Sequence, residues 1–242
     1  MTASHPTAFG AALDAMARSV DRLLETVDAL DDAAVREPSL LPGWTRAHVL
    51  THVARNADGL VNLVHWARTG EETPMYAGGR ERRDADIEAG SARQIGDLRL
   101  DVADSAERLL GAFVDFPPEG LDRELRLGSG MPLPGRDLPM IRTREVEIHH
   151  VDLASAYTQA DWPPGFVTET LDRLAPLFRD GRDTPVGRLE ATDTGGRWQV
   201  AEDGPALSGP SHELLAWLTG RARGERLTLD SGGAVPPAPP WS

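Results

Sequence analysis

Helical periodicity is the strongest constraint on what this chain can fold into. Between Phe9 and Leu30, apolar residues recur at Leu13, Met16, Val20, Leu23, Leu24, Val27 and Leu30, the stripe of a helix that buries one face. Pro38 to Gly43 interrupts the pattern. Thr45 then offers an N-cap for a second helix reaching about Thr69, with Gly70 as its stop. A third helix is expected from about Asp84 to Phe116, ended by Pro117-Pro118, although Gly90 and Gly96 weaken its first part. A fourth spans about Leu138 to Tyr157, ahead of Pro163-Pro164. Between them, Asp122 to Pro134 holds Gly128-Ser129-Gly130 and reads as a loop or small hairpin. Four long helices joined in this way suggest a bundle, and bundles build metal sites from side chains on facing helices.

The pattern changes after about residue 160. Phe166 to Phe178 is amphipathic. Val186 to Ala191 and Arg197 to Ala201 alternate on either side of Gly195-Gly196, as a hairpin does. Ser211 caps a helix running through Arg221, and Arg226 to Leu229 makes a last strand before an extended tail from Gly232 to Pro240. The expected class is therefore α+β in two domains: a helical bundle over residues 1–160 and a smaller α/β domain over 161–242. No internal repeat is visible.

Bulk properties narrow the partners. The net charge of −13 argues against nucleic-acid backbones and anionic membranes, yet local arginines leave a small anionic substrate open. No apolar run approaches ~18 residues, so no membrane span is expected. The first residues, Met-Thr-Ala-Ser-His-Pro, lack the basic and apolar regions of a secretory leader. A cytoplasmic monomer is the default expectation. The chain has no cysteine, and all 25 of its basic Lys+Arg residues are arginine. No protein thiolate can attack a substrate, no lysine can form a Schiff base, and disulfides and sulfur-ligated metals are excluded. Any thiol chemistry must use a thiol borrowed from a small molecule.

Glu145 and His149 lie four apart within a helical stretch, so their side chains share one face. His52 sits on an earlier helix, in His48-Val49-Leu50-Thr51-His52. Two imidazoles and one carboxylate suit a divalent metal with an open, catalytic position. Spacing leaves alternatives open. His48 is four residues from His52, so either can be the third ligand. Glu147, His150 and Asp152 are neighbours of the pair, but Glu147 lies about 200° from Glu145 on the helical wheel and cannot face the same ion. His150 reads as a rim or hydrogen-bonding residue and His65 as a helix-surface one, while His5 and His212 carry no signal. Arg221, at a helix C-terminus, is either a simple helix-end cation or a forked donor for a substrate carboxylate. Arg82 and Arg83, expected in a loop before the third helix, have the same two readings.

Gly43-Trp44-Thr45-Arg46, His52-Val53-Ala54, Asn62-Leu63, His65-Trp66 and Thr69 to Tyr76 form a recognisable block. Arg144-Glu145-Val146, Ile148-His149 and Val151-Asp152-Leu153 continue it, as does the proline-rich end with Trp241. Together they resemble the mycothiol-dependent maleylpyruvate isomerases of actinobacteria. The resemblance implies a DinB-like four-helix N-terminal domain and a smaller C-terminal α/β domain. It implies a zinc site whose ligands map onto His52, Glu145 and His149, with mycothiol as the thiol cofactor. It implies a catalytic, substrate-binding arginine at Arg221, although Ala222-Arg223-Gly224-Glu225 departs from the family pattern. The expected reaction is cis–trans isomerisation of maleylpyruvate to fumarylpyruvate by thiolate addition, bond rotation and elimination. Arg83 is the candidate for a second substrate carboxylate, in a cleft between the two domains. The rival expectation is a thiol S-transferase on the same scaffold.

Overall fold

The computed structural model describes residues 7–181 and 184–238 and divides into two compact units, Met1–Ser155 and Ala156–Ser242. His5 and Trp241 lie outside the described residues.

The first unit is built on four long helices: α1 (Thr7–Asp28), α2 (Arg46–Thr69), α4 (Ile95–Ala112) and α6 (Leu138–Asp152). The α1 stripe expected from the sequence is its buried face, with Met16, Val20, Leu23 and Val27 all in the core. Helix α2 is the centre of the bundle. It packs on α4, α6 and the shorter α3 (Gly79–Ser91), so it buries Val49, Leu50, Val53, Ala54, Leu60 and Leu63 around much of its circumference. Its ends follow the local chemistry of the sequence. Thr45 and His48 form a reciprocal capping box, the Thr45 amide donating to His48 Nδ1 at 3.2 Å. At the other end Gly70 takes φ +82° and donates its amide to Trp66 O, the left-handed cap a glycine makes without a Cβ clash.

The single third helix expected over 84–116 is two helices, α3 and α4, separated at Ala92-Arg93-Gln94. The Arg36 guanidinium caps the carbonyls of Ser91, Ala92 and Arg93 at the end of α3. Asp32 Oδ1 accepts the Ile95 amide at 2.7 Å where α4 begins. These distant groups satisfy the helix-end donors and acceptors that a continuous helix would have paired internally. The start also moves: α3 begins at Gly79, so Arg82 and Arg83 lie on a helix and not in a loop. The fourth expected helix ends at Asp152, short of Tyr157. Ala154 has a positive φ of 51°, and Arg46 binds Leu153 O and Ala154 O at 2.6 and 2.9 Å. Between α4 and α6, a one-turn helix α5 (Pro118–Leu121) leads into the hairpin of β1 (Glu124–Arg126) and β2 (Pro132–Pro134).

The second unit carries α7 (Pro164–Gly181), β3 (Arg188–Ala191), β4 (Arg197–Gln199), β5 (Ala206–Gly209), α8 (Ser211–Leu218) and β6 (Thr228–Leu229). The sheet order is β4-β3-β5-β6. The β3–β4 hairpin is antiparallel, as expected, but β3 and β5 run parallel. Strand β5 was not visible in the sequence pattern. It is only four residues long, three of them buried, so it lacks alternation. Trp198 Nε1 donates to Asp172 Oδ1 at 2.6 Å and ties β4 to α7. Trp217 Nε1 donates to Pro236 O at 2.8 Å and seats the tail. Helix α8 ends at Leu218, so Arg221 follows it and is not its last residue.

Helix α3 is held close to α2 by Gly90, where an added Cβ would collide with Thr51 Cγ2. Alanine in a helix interior gains about 1 kcal/mol over glycine, but overpacking against fully buried Thr51 costs about 1–3 kcal/mol. Gly90→Ala should therefore lower stability in urea unfolding, and Thr51→Ala in the same chain should restore part of the loss. A Gly90→Ala protein as stable as wild type would show that the two helices are not in tight contact there.

Candidate metal centre

Facing side chains of α2 and α6 build the site. His52 projects from α2, and Glu145 and His149 project one turn apart from α6. His52 Nε2 lies 3.0 Å from His149 Nε2 and 3.3 Å from Glu145 Oε2, and the His149 Nε2 to Glu145 Oε2 distance is 3.8 Å. Ligands about 2.0–2.1 Å from a tetrahedral zinc ion lie about 3.3 Å from one another, so the triangle has the size such an ion requires. Among the described residues this is the group of three whose donor atoms could hold a metal. His52 is only 5% exposed, while Glu145 and His149 are half-buried.

A second layer of side chains orients these donors. His149 Nδ1 donates to Asp152 Oδ2 at 2.8 Å, which leaves the lone pair on Nε2, pointing inward. Asn56 Nδ2 donates to Glu145 Oε2 at 3.2 Å, and Asn56 Oδ1 accepts from Arg142 Nη1 at 2.9 Å. Arg142 is 1% exposed and also donates to Val53 O at 2.8 Å. On the other side, Arg83 Nη2 donates to His52 Nδ1 at 2.8 Å. The Arg83 guanidinium lies 5.7 Å from the centre of the Tyr76 ring. It also lines a cavity of about 310 Å³, with Arg55, Asp58, Asn62 and Tyr76.

Electrostatics follow from this packing. Burial and the neighbouring His149 push His52 down from 6.5 to about 4, so its ring is neutral at physiological pH. Burial alone would raise the Glu145 carboxyl, but its hydrogen bond to His52 and the charges of His149, His52 and Arg144 hold it well below the usual range. Burial, followed by the charge of Glu145, raises the Tyr76 phenol. Burial lowers Arg142 to about 10, and it stays charged at neutral pH.

The remaining sequence candidates take other places. His48 is occupied by the α2 cap and faces Glu88 at 3.3 Å. Glu147 points into the bundle, bonded to Ser19 and Arg22, in line with its angular distance from Glu145. His150 is buried against Thr26 Oγ1 at 2.7 Å and is a core residue, not a rim one. Asp152, a competing ligand on spacing, instead binds His149. His65 is on the surface near Glu71, and Arg82 pairs with Asp86. Arg221 belongs to the second unit, in the turn after α8. Its amide donates to Ala216 O at 2.7 Å and its Nη1 to Thr219 O at 2.6 Å.

Residues 16–154 match the family model of the mycothiol maleylpyruvate isomerase N-terminal domain, and residues 161–240 match that family's C-terminal domain. The chain belongs to the mycothiol-dependent maleylpyruvate isomerase family. A crystal structure of a mycothiol-dependent maleylpyruvate isomerase superposes with a TM-score of 0.87 at 31% identity, covering 96% of this chain and 97% of that one. The structure of a histidine-to-alanine mutant of such an enzyme gives the same values. No curated protein matches the chain.

Within this isomerase-family fold, sequence reasoning passed over Arg142 and the role of Asn56. Helical spacing carried the signal: Asn56 is four residues after His52, and Arg142 three before Glu145. Both therefore share a face with a proposed ligand.

The depressed His52 value has a consequence for the chelator-stripped protein. Below pH 6.5 the unfolded chain takes up a proton that folded His52 refuses until about pH 4. Stability should therefore fall as pH drops through that window, by on the order of 3 kcal/mol. Glu145, with its folded value depressed, adds loss in the same direction as pH falls below its ordinary 4.5. Urea unfolding at pH 7 and pH 5 should show a smaller loss for His52→Asn than for wild type. Equal losses would mean that His52 titrates normally in the fold.

Proposed function

We propose that this protein is a mycothiol-dependent maleylpyruvate isomerase whose divalent ion is held by His52, Glu145 and His149. The observation that carries this reading is the convergence of three donor atoms, 3.0–3.8 Å apart, in a chain of that family. The bundle, residues 1–160, provides the metal-binding domain, and residues 161–242 form a second domain that supplies Arg221.

Two nitrogens and one oxygen favour zinc, which would supply an open position that holds the mycothiol sulfur as a thiolate at neutral pH. The absence of cysteine fits a borrowed nucleophile. The bound thiol would supply reversible addition to the cis double bond of maleylpyruvate, which would leave a single bond free to rotate, and the double bond would re-form trans with the thiol released unchanged. The chain's own residues set up this chemistry. Asp152 fixes the His149 tautomer, and Arg142 holds Asn56 so that its amide nitrogen orients Glu145. Negative charge grows on the conjugated oxo acid after addition. We assign its stabilisation to Arg221, a forked donor worth about 3 kcal/mol where it is preorganised, and the binding of a substrate carboxylate to Arg83. No helix among the described residues is long and apolar enough to cross a membrane. We place the enzyme in the cytoplasm, as a monomer, where both thiol and substrate are dissolved.

Metal analysis joined to a maleylpyruvate isomerisation assay, with and without mycothiol, tests the proposal. Wild type should hold about one zinc per chain and turn over only with the thiol, which is recovered at the end. Thiol consumed in step with substrate would make the protein an S-transferase instead. His52→Ala and Glu145→Gln should lose zinc and activity together, and full occupancy with normal turnover in either would remove that residue from the site. Arg221→Ala should keep its zinc and lose about 10²-fold or more in kcat. Wild-type kinetics in that variant would leave Arg221 without a chemical role.

A further inference from the structure

Arg83 and a metal ion make incompatible demands on His52. A guanidinium has only N–H groups to offer, so His52 Nδ1, 2.8 Å from Arg83 Nη2, must be the acceptor. A neutral imidazole has one lone-pair nitrogen, which puts the His52 proton on Nε2. That proton points between Glu145 Oε2, at 3.3 Å, and His149 Nε2, at 3.0 Å. Both can accept it, because the His149 proton is already committed to Asp152 through Nδ1. Arg83 thus holds a hydrogen bond donor where the three metal donors meet. Ligation through His52 Nε2 needs the lone pair there. The ring proton must then sit on Nδ1, where it would face the Arg83 N–H head on. The ring keeps the same charge throughout; only the position of one proton changes.

We propose that Arg83 is a latch on the metal site: metal entry moves the His52 proton from Nε2 to Nδ1 and expels Arg83. The released guanidinium then becomes an anion-binding group beside the cavity that it lines. This inference rests on the metal site proposed above and adds an order to it, metal first and anion second. Nothing heavy has to be rearranged. Arg83 is half-buried on one face of α3, its Nη1 is already on exposed Asp84, and Tyr76 offers a ring face 5.7 Å away to which a cation can stay attached.

Zinc titration calorimetry on chelator-stripped full-length protein tests the latch. Arg83→Met should bind zinc about tenfold or more tightly than wild type, since entry no longer breaks a hydrogen bond made by a charged donor. Arg82→Met is the control: it removes the same charge one residue away, from a side chain paired with Asp86, and should stay within about twofold of wild type. Equal affinities of wild type and Arg83→Met overturn the latch. Equal tightening in Arg82→Met also overturns it, because the effect would then be the field of any nearby charge. If neither wild type nor Arg83→Met binds zinc, the metal reading itself fails, a result distinct from both. Nitrogen NMR of the histidine rings reads the same event without activity. His52 should carry its proton on Nε2 in the stripped protein and on Nδ1 with zinc, and a proton on Nδ1 before zinc is added overturns the proposal. Maleate should bind zinc-loaded wild type more tightly than zinc-loaded Arg83→Met; equal binding removes the anion role.

Discussion

The axial register between α2 and α6 is the constraint on which the site depends. A helix rises 1.5 Å per residue, whereas ligand distances in a metal site are held to about 0.2 Å. A slip of one residue between the two helices would separate His52 from the Glu145/His149 pair. Apolar packing alone specifies such a register weakly, because Leu and Val tolerate small sliding. Arg142 specifies it directionally. Its guanidinium leaves α6 and bonds both the Val53 carbonyl and the Asn56 side chain of α2, one residue and one turn beyond His52. Burying this cation is expensive, as its lowered value shows. The cost has a return in geometry, because the same contact turns the Asn56 amide so that its nitrogen faces Glu145.

The site is also an answer to a buried-charge problem. Glu145 stays ionised in a place where burial by itself would favour the neutral acid. What keeps it charged is a set of donors and cations brought from two helices: His52 and Asn56 from α2, and Arg144, His149 and, at one remove, Arg142 from its own helix. A carboxylate held ionised, beside an imidazole held neutral down to about pH 4, need release no proton to solvent to accept a cation at neutral pH; the imidazole only has to move its proton from one ring nitrogen to the other. In a chain without cysteine or lysine, that donor pair and the arginines are the chemistry available.

Much of this could be read before the structure was seen. The α1 stripe, the Thr45 start and Gly70 stop of α2, and the i, i+4 pairing of Glu145 with His149 all follow from local rules, because each depends on residues within a turn or two of one another. What the sequence could not show depends on distant partners. The break between α3 and α4 exists because Arg36 and Asp32 reach across to cap it. The end of α6 is set by Arg46. His48 and His52 were equivalent on spacing, and only the capping box at Thr45 removes His48 from contention. Strand β5 escaped because a short, buried, parallel strand has no alternation to detect. Arg83 was expected in a loop because the third helix was expected to begin at about Asp84, yet α3 begins at Gly79 after a Gly78 cap and carries the arginine to His52.

The two histidines of the site are treated in opposite ways, and the asymmetry has a physical reason. Asp152 gives His149 the tautomer with its lone pair inward. Had an acceptor stood behind His52 as well, the cluster without an ion would bring two lone pairs and a carboxylate together with no proton between them. In such a group of acceptors, 3.0–3.8 Å apart, Glu145 Oε2 would keep the Asn56 amide as a donor, while the two inward ring nitrogens would face each other without a proton between them, at a cost in free energy. A donor behind His52 resolves this. Arg83 turns one of the three inward atoms into a donor, and that single proton satisfies the other two. The helices can then close around the site before any cation arrives, with the cluster satisfied internally in one state and by the ion in the other. The side chain that permits the first state is the one displaced in the second.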